Sequence, residues 1–101
     1  MTKNINFDKY EKEILELSFI SRYKRDTDFI RNRITEIKTI RDDYLNRFGL
    51  DENFLRLQEI IINYNISLKE ALGLDYKNEL KSLNFLLSIN YNNINKLDIE
   101  S

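Results

Sequence analysis

The chain has 101 residues, of which 42% are apolar and 33% charged, and its net charge is −1. This length and apolar share are typical of one folded domain with a real core, and they argue against a disordered chain. The absence of His and Cys removes the commonest general base, the commonest zinc ligands and any disulfide, so we expect no enzyme activity, metal site or cofactor.

The first half of the chain contains two amphipathic segments. The first predicts a helix from Phe7 to about Lys24, with Asn4 or Asn6 as its N-cap. The second segment, residues 26–48, repeats apolar residues at the spacing of a core-facing helix. Those residues are Ile30, Ile34, Ile37, Tyr44 and Phe48.

No Gly or Pro separates these two segments, so one continuous helix is an alternative to a pair. Such a helix, with ~42 residues, would be about 60 Å long and would need a partner chain along its length. Asp26 or Thr27 can cap a new helix, and Asp28 suits its positive end. We therefore favour a break at residues 25–28.

Two later junctions share the pattern apolar-Gly-Leu-Asp, at residues 48–51 and 72–75, and contain the only two glycines. In each, Gly fits the left-handed position that ends a helix, and Leu fits the next position, packing back on the last turn. The Asp that follows fits the N-cap of a new helix. These junctions predict two tight corners.

Between and after the corners, the pattern predicts three more helices. The third helix runs from about Glu52 to Tyr64 and is apolar over a wide arc, so we expect it to be the most buried element. Asn65 and Ile66 interrupt the pattern, and a capping box at residues 67–70 then predicts a short helix that Gly73 ends. The last helix starts after Asp75 and ends near Tyr91.

The predicted fold is therefore all-α, a small helical bundle of four main helices plus one short connecting helix. It forms a single domain over residues 1–101, with a loosely ordered tail at about residues 92–101. No apolar run approaches the ~20 residues that span a bilayer, and the N-terminal stretch carries acids where a signal peptide has an apolar core. We expect a cytoplasmic protein that does not enter a membrane.

A basic cluster with interleaved aromatic residues lies around the break between the first two helices. If the chain turns near Asp26, the cluster collects at one end of the bundle and can bind an acidic partner surface. The alternative is an ordinary solvated helix junction. The candidate partner-binding residues are Arg22, Tyr23, Lys24, Arg25, Arg31 and Arg33.

Residues 67–87 also have the outline of a helix-turn-helix, which makes a DNA-binding regulator the alternative function. The pattern departs from the usual one at Lys69 and Glu79, and the half from residue 51 holds five basic and eight acidic residues. That charge balance is poor for phosphate attraction. The candidate DNA-reading residues are Tyr76, Lys77, Asn78, Lys81 and Ser82.

These observations predict a non-enzymatic helical protein that recognises another macromolecule, more plausibly a protein than a nucleic acid. By size and architecture, such a chain is typical of inhibitors and immunity-type proteins that phages and plasmids encode, an analogy that no motif supports. The excess of Ile, Asn, Lys and Tyr is also typical of AT-rich coding sequences. A homodimer is a further expectation, because the wide apolar arcs can be buried between two copies.

Overall fold

The computed structural model describes the backbone of residues 5–100 and the side chains of residues 5–89. Four α-helices follow one another in this part of the chain, with a 3₁₀ turn, Arg22–Lys24, after the first of them. They are α1 (Phe7–Phe19), α2 (Thr27–Phe48), α3 (Glu52–Leu72) and α4 (Lys77–Glu100). No strand occurs among residues 5–100. The predicted all-α bundle of four main helices is confirmed.

Side-chain caps define where α1 and α2 begin. The Asn6 carboxamide accepts a hydrogen bond from the Lys9 N–H at 3.1 Å, and the Asp26 carboxylate accepts one from the Phe29 N–H at the same distance. The predicted break between the two helices is therefore confirmed, with Asp26 as the N-cap. The first helix ends earlier than expected, at Phe19, and the chain reaches α2 through the 3₁₀ turn.

Both glycines end helices, as predicted. Gly73 has the left-handed conformation, with φ 71° and ψ 25°, and Gly49 has φ 78° and ψ −165°. The Asp51 carboxylate then accepts hydrogen bonds from two backbone N–H groups at the start of α3. The expectation that each leucine packs back on the preceding turn is wrong, because Leu50 is 75% exposed and Leu74 is 54% exposed.

Helix α3 is the centre of the bundle. The other three helices and the 3₁₀ turn all pack against it, and its apolar face holds Leu57, Ile60, Ile61 and Tyr64 at 4% exposure or less. Helix α2 supplies the other large part of the core. The ten buried apolar residues are Tyr10, Leu17, Ile30, Ile34, Ile37, Tyr44, Leu57, Ile60, Ile61 and Tyr64. The expectation that the third helix is the most buried element is thus confirmed.

The short connecting helix predicted at residues 67–72 does not exist as a separate element. Helix α3 continues through Asn65 and Ile66 to Leu72, and Ser67 is buried in mid-helix. An Asn costs a helix less than about 0.7 kcal/mol relative to Ala, whereas burying one large apolar side chain contributes roughly 1.5–3 kcal/mol. Because Leu68 packs against the core beyond the two weak residues, the apolar face outweighs local propensity.

Helix α4 also differs from its predicted extent, because its backbone is helical to Glu100 and not only to about Tyr91. The predicted loosely ordered tail at residues 92–101 stays a prediction, since the side chains from residue 90 onward lie outside the described residues. Across the part of the chain that the structure describes, no helix has both the length and the apolar character needed to cross a membrane.

Candidate protein-binding surface

A polar network joins α1, α2 and α3 inside the bundle. The Arg33 guanidinium of α2 donates two hydrogen bonds to the Glu13 carboxylate of α1, at 2.6 and 3.0 Å. It also donates to Glu36, one turn along α2, at 2.9 Å. The Tyr10 hydroxyl donates to Glu36 and the Tyr64 hydroxyl donates to Glu13, each at 2.7 Å. Because the Arg33 side chain is only 15% exposed, we infer that this network contributes to holding the three helices together.

Burial and hydrogen bonding shift the pKa values of four groups in this network. Burial raises the pKa of Tyr10 to about 12, and the hydrogen bond to Glu36 adds to the effect. Burial likewise raises the pKa of Tyr64. The Tyr10 hydrogen bond lowers the pKa of Glu36, and the hydrogen bonds to Glu13 raise the pKa of Arg33. The two tyrosines therefore stay neutral and Glu36 and Arg33 stay charged around neutral pH.

Arg25 is anchored to the end of α3. Its Nη1 donates to the Ser67 carbonyl oxygen at 3.0 Å and to the Glu70 carboxylate at 3.1 Å, and its Nε donates to the Ile20 carbonyl oxygen at 3.2 Å. The Arg25 side chain is 6% exposed. Glu70 therefore pairs with Arg25 and does not form the predicted capping box with Ser67. Two of the six predicted partner-binding residues, Arg25 and Arg33, contact their own chain instead of lining an outer surface.

The other four predicted residues are exposed, and three of them lie together. Arg22, Tyr23 and Lys24 form the 3₁₀ turn. Arg31 lies further along, on α2, where its Nη1 is 3.6 Å from the Asp28 carboxylate one turn earlier. This ion pair partly neutralises the charge of Arg31. The structure thus reduces the predicted cluster to the residues of the 3₁₀ turn.

The 3₁₀ turn continues an exposed apolar end of α1, and residues 19–24 are called the corner below. The Phe19 ring is 82% exposed and the Tyr23 ring is 77% exposed. The Arg22 guanidinium lies 4.7 Å from the centre of the Tyr23 ring and donates to its hydroxyl oxygen at 2.6 Å. Among the described residues, neither Arg22 nor Lys24 has an ion pair, so the corner presents two uncompensated cations beside two aromatic rings.

Sequence reasoning placed Phe19 and Ile20 in the first helix and not in the candidate site. Their exposure follows from the early end of α1, which no Gly or Pro marks. The available signal was the basic and aromatic run that begins two residues after Ile20, at Arg22.

The candidate DNA-reading residues lie at the start of α4. Lys77, Asn78, Lys81 and Ser82 are exposed, and Tyr76 is half-buried just before the helix. Glu79, which lies between these residues in the sequence, forms an ion pair with Lys69 of α3, and this contact lowers the pKa of Glu79. The helix that precedes this turn has 21 residues, so the two-turn first helix on which this alternative depends is not formed.

Among the side chains that the structure describes, no three acidic residues are grouped so that they could hold a metal ion. No protein-family model, curated protein or solved structure matches the chain.

Proposed function

We propose that the chain is a non-enzymatic binding protein that recognises another protein through the corner, residues 19–24. The observation that carries this proposal is the exposure of two aromatic rings, Phe19 at 82% and Tyr23 at 77%, next to unpaired cations. Leaving such a ring in water forgoes roughly 1.5–3 kcal/mol of burial free energy. Aromatic residues and Arg are also the residue types that protein interfaces concentrate.

Charge defines the kind of partner that the corner suits. Arg22 and Lys24 add two positive charges, and Arg25 next to them is already paired with Glu70. A partner surface with carboxylates around an apolar patch would pair with both cations and cover both rings. The proposal also includes the finer prediction from the sequence, a phage- or plasmid-encoded inhibitor or immunity-type protein, as an analogy of size and shape.

The test compares two charge-matched variants of the tagged chain in capture from the cells that encode it. The double variant Arg22→Glu with Lys24→Glu reverses the charge of the corner. The double variant Lys38→Glu with Lys81→Glu reverses the charge of two exposed lysines elsewhere. We expect the wild type and the control to retain the same specific protein and the corner variant to lose it. Equal capture by the corner variant would overturn the corner as the site. If the wild type retains no specific protein, the binding function itself is wrong.

A separate observation favours self-association through α4. None of the described side chains of α4, residues 77–89, is buried, and Leu80, Phe85 and Leu87 are 42–66% exposed. Residues 82–95 contain no charged residue, although a third of the whole chain is charged. Two copies of an uncharged apolar helix can meet without bringing like charges together, so a second copy of this chain is the occupant that fits.

Light scattering tests this second proposal through the molar mass. We expect twice the 12.2 kDa of one chain for the wild type, and a single-chain mass after Phe85→Ser. Phe19→Ser is the matched control, because it removes an even more exposed phenylalanine at the corner, 82% against 66% for Phe85, and should leave the mass unchanged. A wild type that is monomeric at several hundred micromolar would contradict self-association.

A further inference from the structure

An open groove of about 340 Å³ lies between α1 and α3. Ile14 and Leu15 of α1 and Ile60 of α3 supply its apolar lining. At one end, the Arg56 Nε donates to the Glu11 carboxylate at 2.7 Å, so these two charges cancel. The volume is at the lower end of the range for binding pockets, which is room for a few side chains and not for a large ligand.

The distinctive group in this groove is the Glu59 carboxylate. Six carboxylate side chains are half-buried in the described part of the chain, and five of them have a hydrogen bond or an ion pair; these five are Glu13, Asp43, Asp51, Glu70 and Glu79. Glu59 has neither within the described residues. Burial raises the pKa of Glu59, the nearby Glu11 carboxylate raises it further, and the Arg56 guanidinium, which is paired with Glu11, opposes the rise only in part. A half-buried carboxylate without a partner is destabilising, and a cation placed next to it removes that cost.

We propose that the groove between α1 and α3 binds a Lys or Arg side chain of a protein partner, with its charged head on Glu59 and its apolar neighbours on Ile14, Leu15 and Ile60. The proposal deepens the proposed function and depends on it, because it names a second part of the partner-binding surface. Ser18 and Asn63 also line the groove and can accept further hydrogen bonds from a guanidinium or ammonium group.

The shape and charge of the groove select this occupant over others. An unpaired carboxylate repels phosphates, so a nucleic acid or a phosphorylated ligand does not fit. The apolar lining favours a cation that is carried on a hydrocarbon stem and flanked by apolar residues, which is what one face of an amphipathic helix presents.

The groove is also continuous with the corner. Leu15 is 57% exposed at the edge of the groove, and Phe19 follows it one turn later on the same side of α1. One partner segment can therefore cover both sites, with a basic residue on Glu59 and acidic residues on Arg22 and Lys24. A partner with the opposite order of charges would be rejected at both ends.

A pair of synthetic helical peptides tests the groove with the intact chain. Both peptides carry two leucines four positions apart, and they differ only in having Lys or Gln between them. Amide chemical shifts in a ¹⁵N-labelled sample report where each peptide binds and how tightly. We expect the shifts to centre on Leu15, Ser18, Glu59 and Asn63, and the Lys peptide to bind at least tenfold more tightly than the Gln peptide.

Two carboxylate variants complete the experiment. Glu59→Gln keeps the side-chain shape and should abolish the tenfold preference, whereas Glu16→Gln, an exposed acid of α1, should retain it. Binding of the Lys peptide should also return the pKa of Glu59 toward its ordinary value in a carboxyl ¹³C titration. Equal affinity of the two peptides, binding at another surface, or no binding would overturn the groove proposal. None of these results affects the capture experiment, which tests the proposed function separately.

Discussion

Replacing Arg33 with Met should destabilise the bundle severely, because the substitution removes the cation that two carboxylates share. Glu13 would keep only the Tyr64 hydroxyl as a partner while its side chain is 17% exposed. Breaking a buried pair by removing one member costs about 3–5 kcal/mol, and the residual exposure of this pair favours the lower end. A folded domain has a total unfolding free energy on the order of 5–15 kcal/mol, so the expected loss of about 3 kcal/mol is roughly a fifth or more of the total.

Arg31→Met is the matched control, two residues away on the same helix. The Arg31 side chain is 53% exposed and its partner Asp28 is 89% exposed, so water screens the pair. Exposed pairs of this kind contribute roughly 0–1 kcal/mol, and α2 should tolerate Met at this position. The two variants remove the same charge and add the same side chain, so only the environment differs between them.

Urea unfolding followed by circular dichroism measures both effects. With a slope of about 1 kcal/mol per molar urea for a small domain, Arg33→Met should lower the midpoint by about 3 M and Arg31→Met by less than about 1 M. Combining Arg33→Met with Glu13→Gln should cost less than the sum of the single variants, because the second change removes the carboxylate that the first one strands. Equal midpoints for the two Met variants would refute the assignment of Arg33 to the interior network.

The remaining predictions concern the pH dependence of stability, the two glycines that end helices, and DNA binding. The free energy of unfolding should fall below about pH 4.5, because the folded pKa of Glu36 is lowered and the stability that Glu36 contributes is lost as the pH falls through this folded pKa. The free energy of unfolding should also fall above about pH 10, because the folded pKa of Tyr10 is raised to about 12 and the stability that Tyr10 contributes is lost as the pH rises toward it. Urea midpoints across this range, with Glu36→Gln showing a weaker acid decline, check both directions. Gly49→Asn should lower the free energy of unfolding by about 1–3 kcal/mol, and Gly73→Asn by less than about 1 kcal/mol. No atom lies within 4 Å of a Cβ at either position, but only Gly73 has the left-handed conformation that Asn tolerates. Fluorescence anisotropy with random duplex DNA at about 50 mM salt should show no binding, and an affinity that falls steeply as salt rises would revive the helix-turn-helix alternative.

The helix ends that a side-chain cap or a glycine marks were predicted well from the sequence, whereas the unmarked ends of α1 and α4, at Phe19 and Glu100, were not. Asn6, Asp26, Gly49, Asp51 and Gly73 act on backbone groups within a few residues of themselves, so residue type and position were sufficient. The helical periodicity of α2 and α3 was likewise local. These features placed four main helices correctly before any long-range contact was known.

The long-range contacts could not be predicted in the same way. The apolar face of α3 continues past Asn65 and Ile66 because the core beyond them outweighs a weak local preference, and that core depends on residues of other helices. The Arg25–Glu70 ion pair joins residues 45 positions apart, and the Arg33–Glu13 ion pair joins residues 20 positions apart. Nothing in the basic cluster itself indicates which of its members has an acid opposite it.

The distribution of arginines around α3 explains why the candidate surface is smaller than the basic cluster. Arg25 lies directly after the 3₁₀ turn and Arg33 lies on α2, and each forms an ion pair with a carboxylate of a neighbouring helix, so its charge is neutralised inside the fold. Arg22 and Lys24 lie in the 3₁₀ turn, which packs against α3, but no carboxylate among the described residues forms an ion pair with either of them. Under the proposed function, these two charges are available to a partner. Glu59 is the acidic counterpart, because it lies in the groove between α1 and α3 with no ion pair or hydrogen bond of its own among the described residues, and the nearby Arg56 is paired with Glu11. We therefore propose that the charges that the bundle does not neutralise, and not the total charge of the chain, would select a partner.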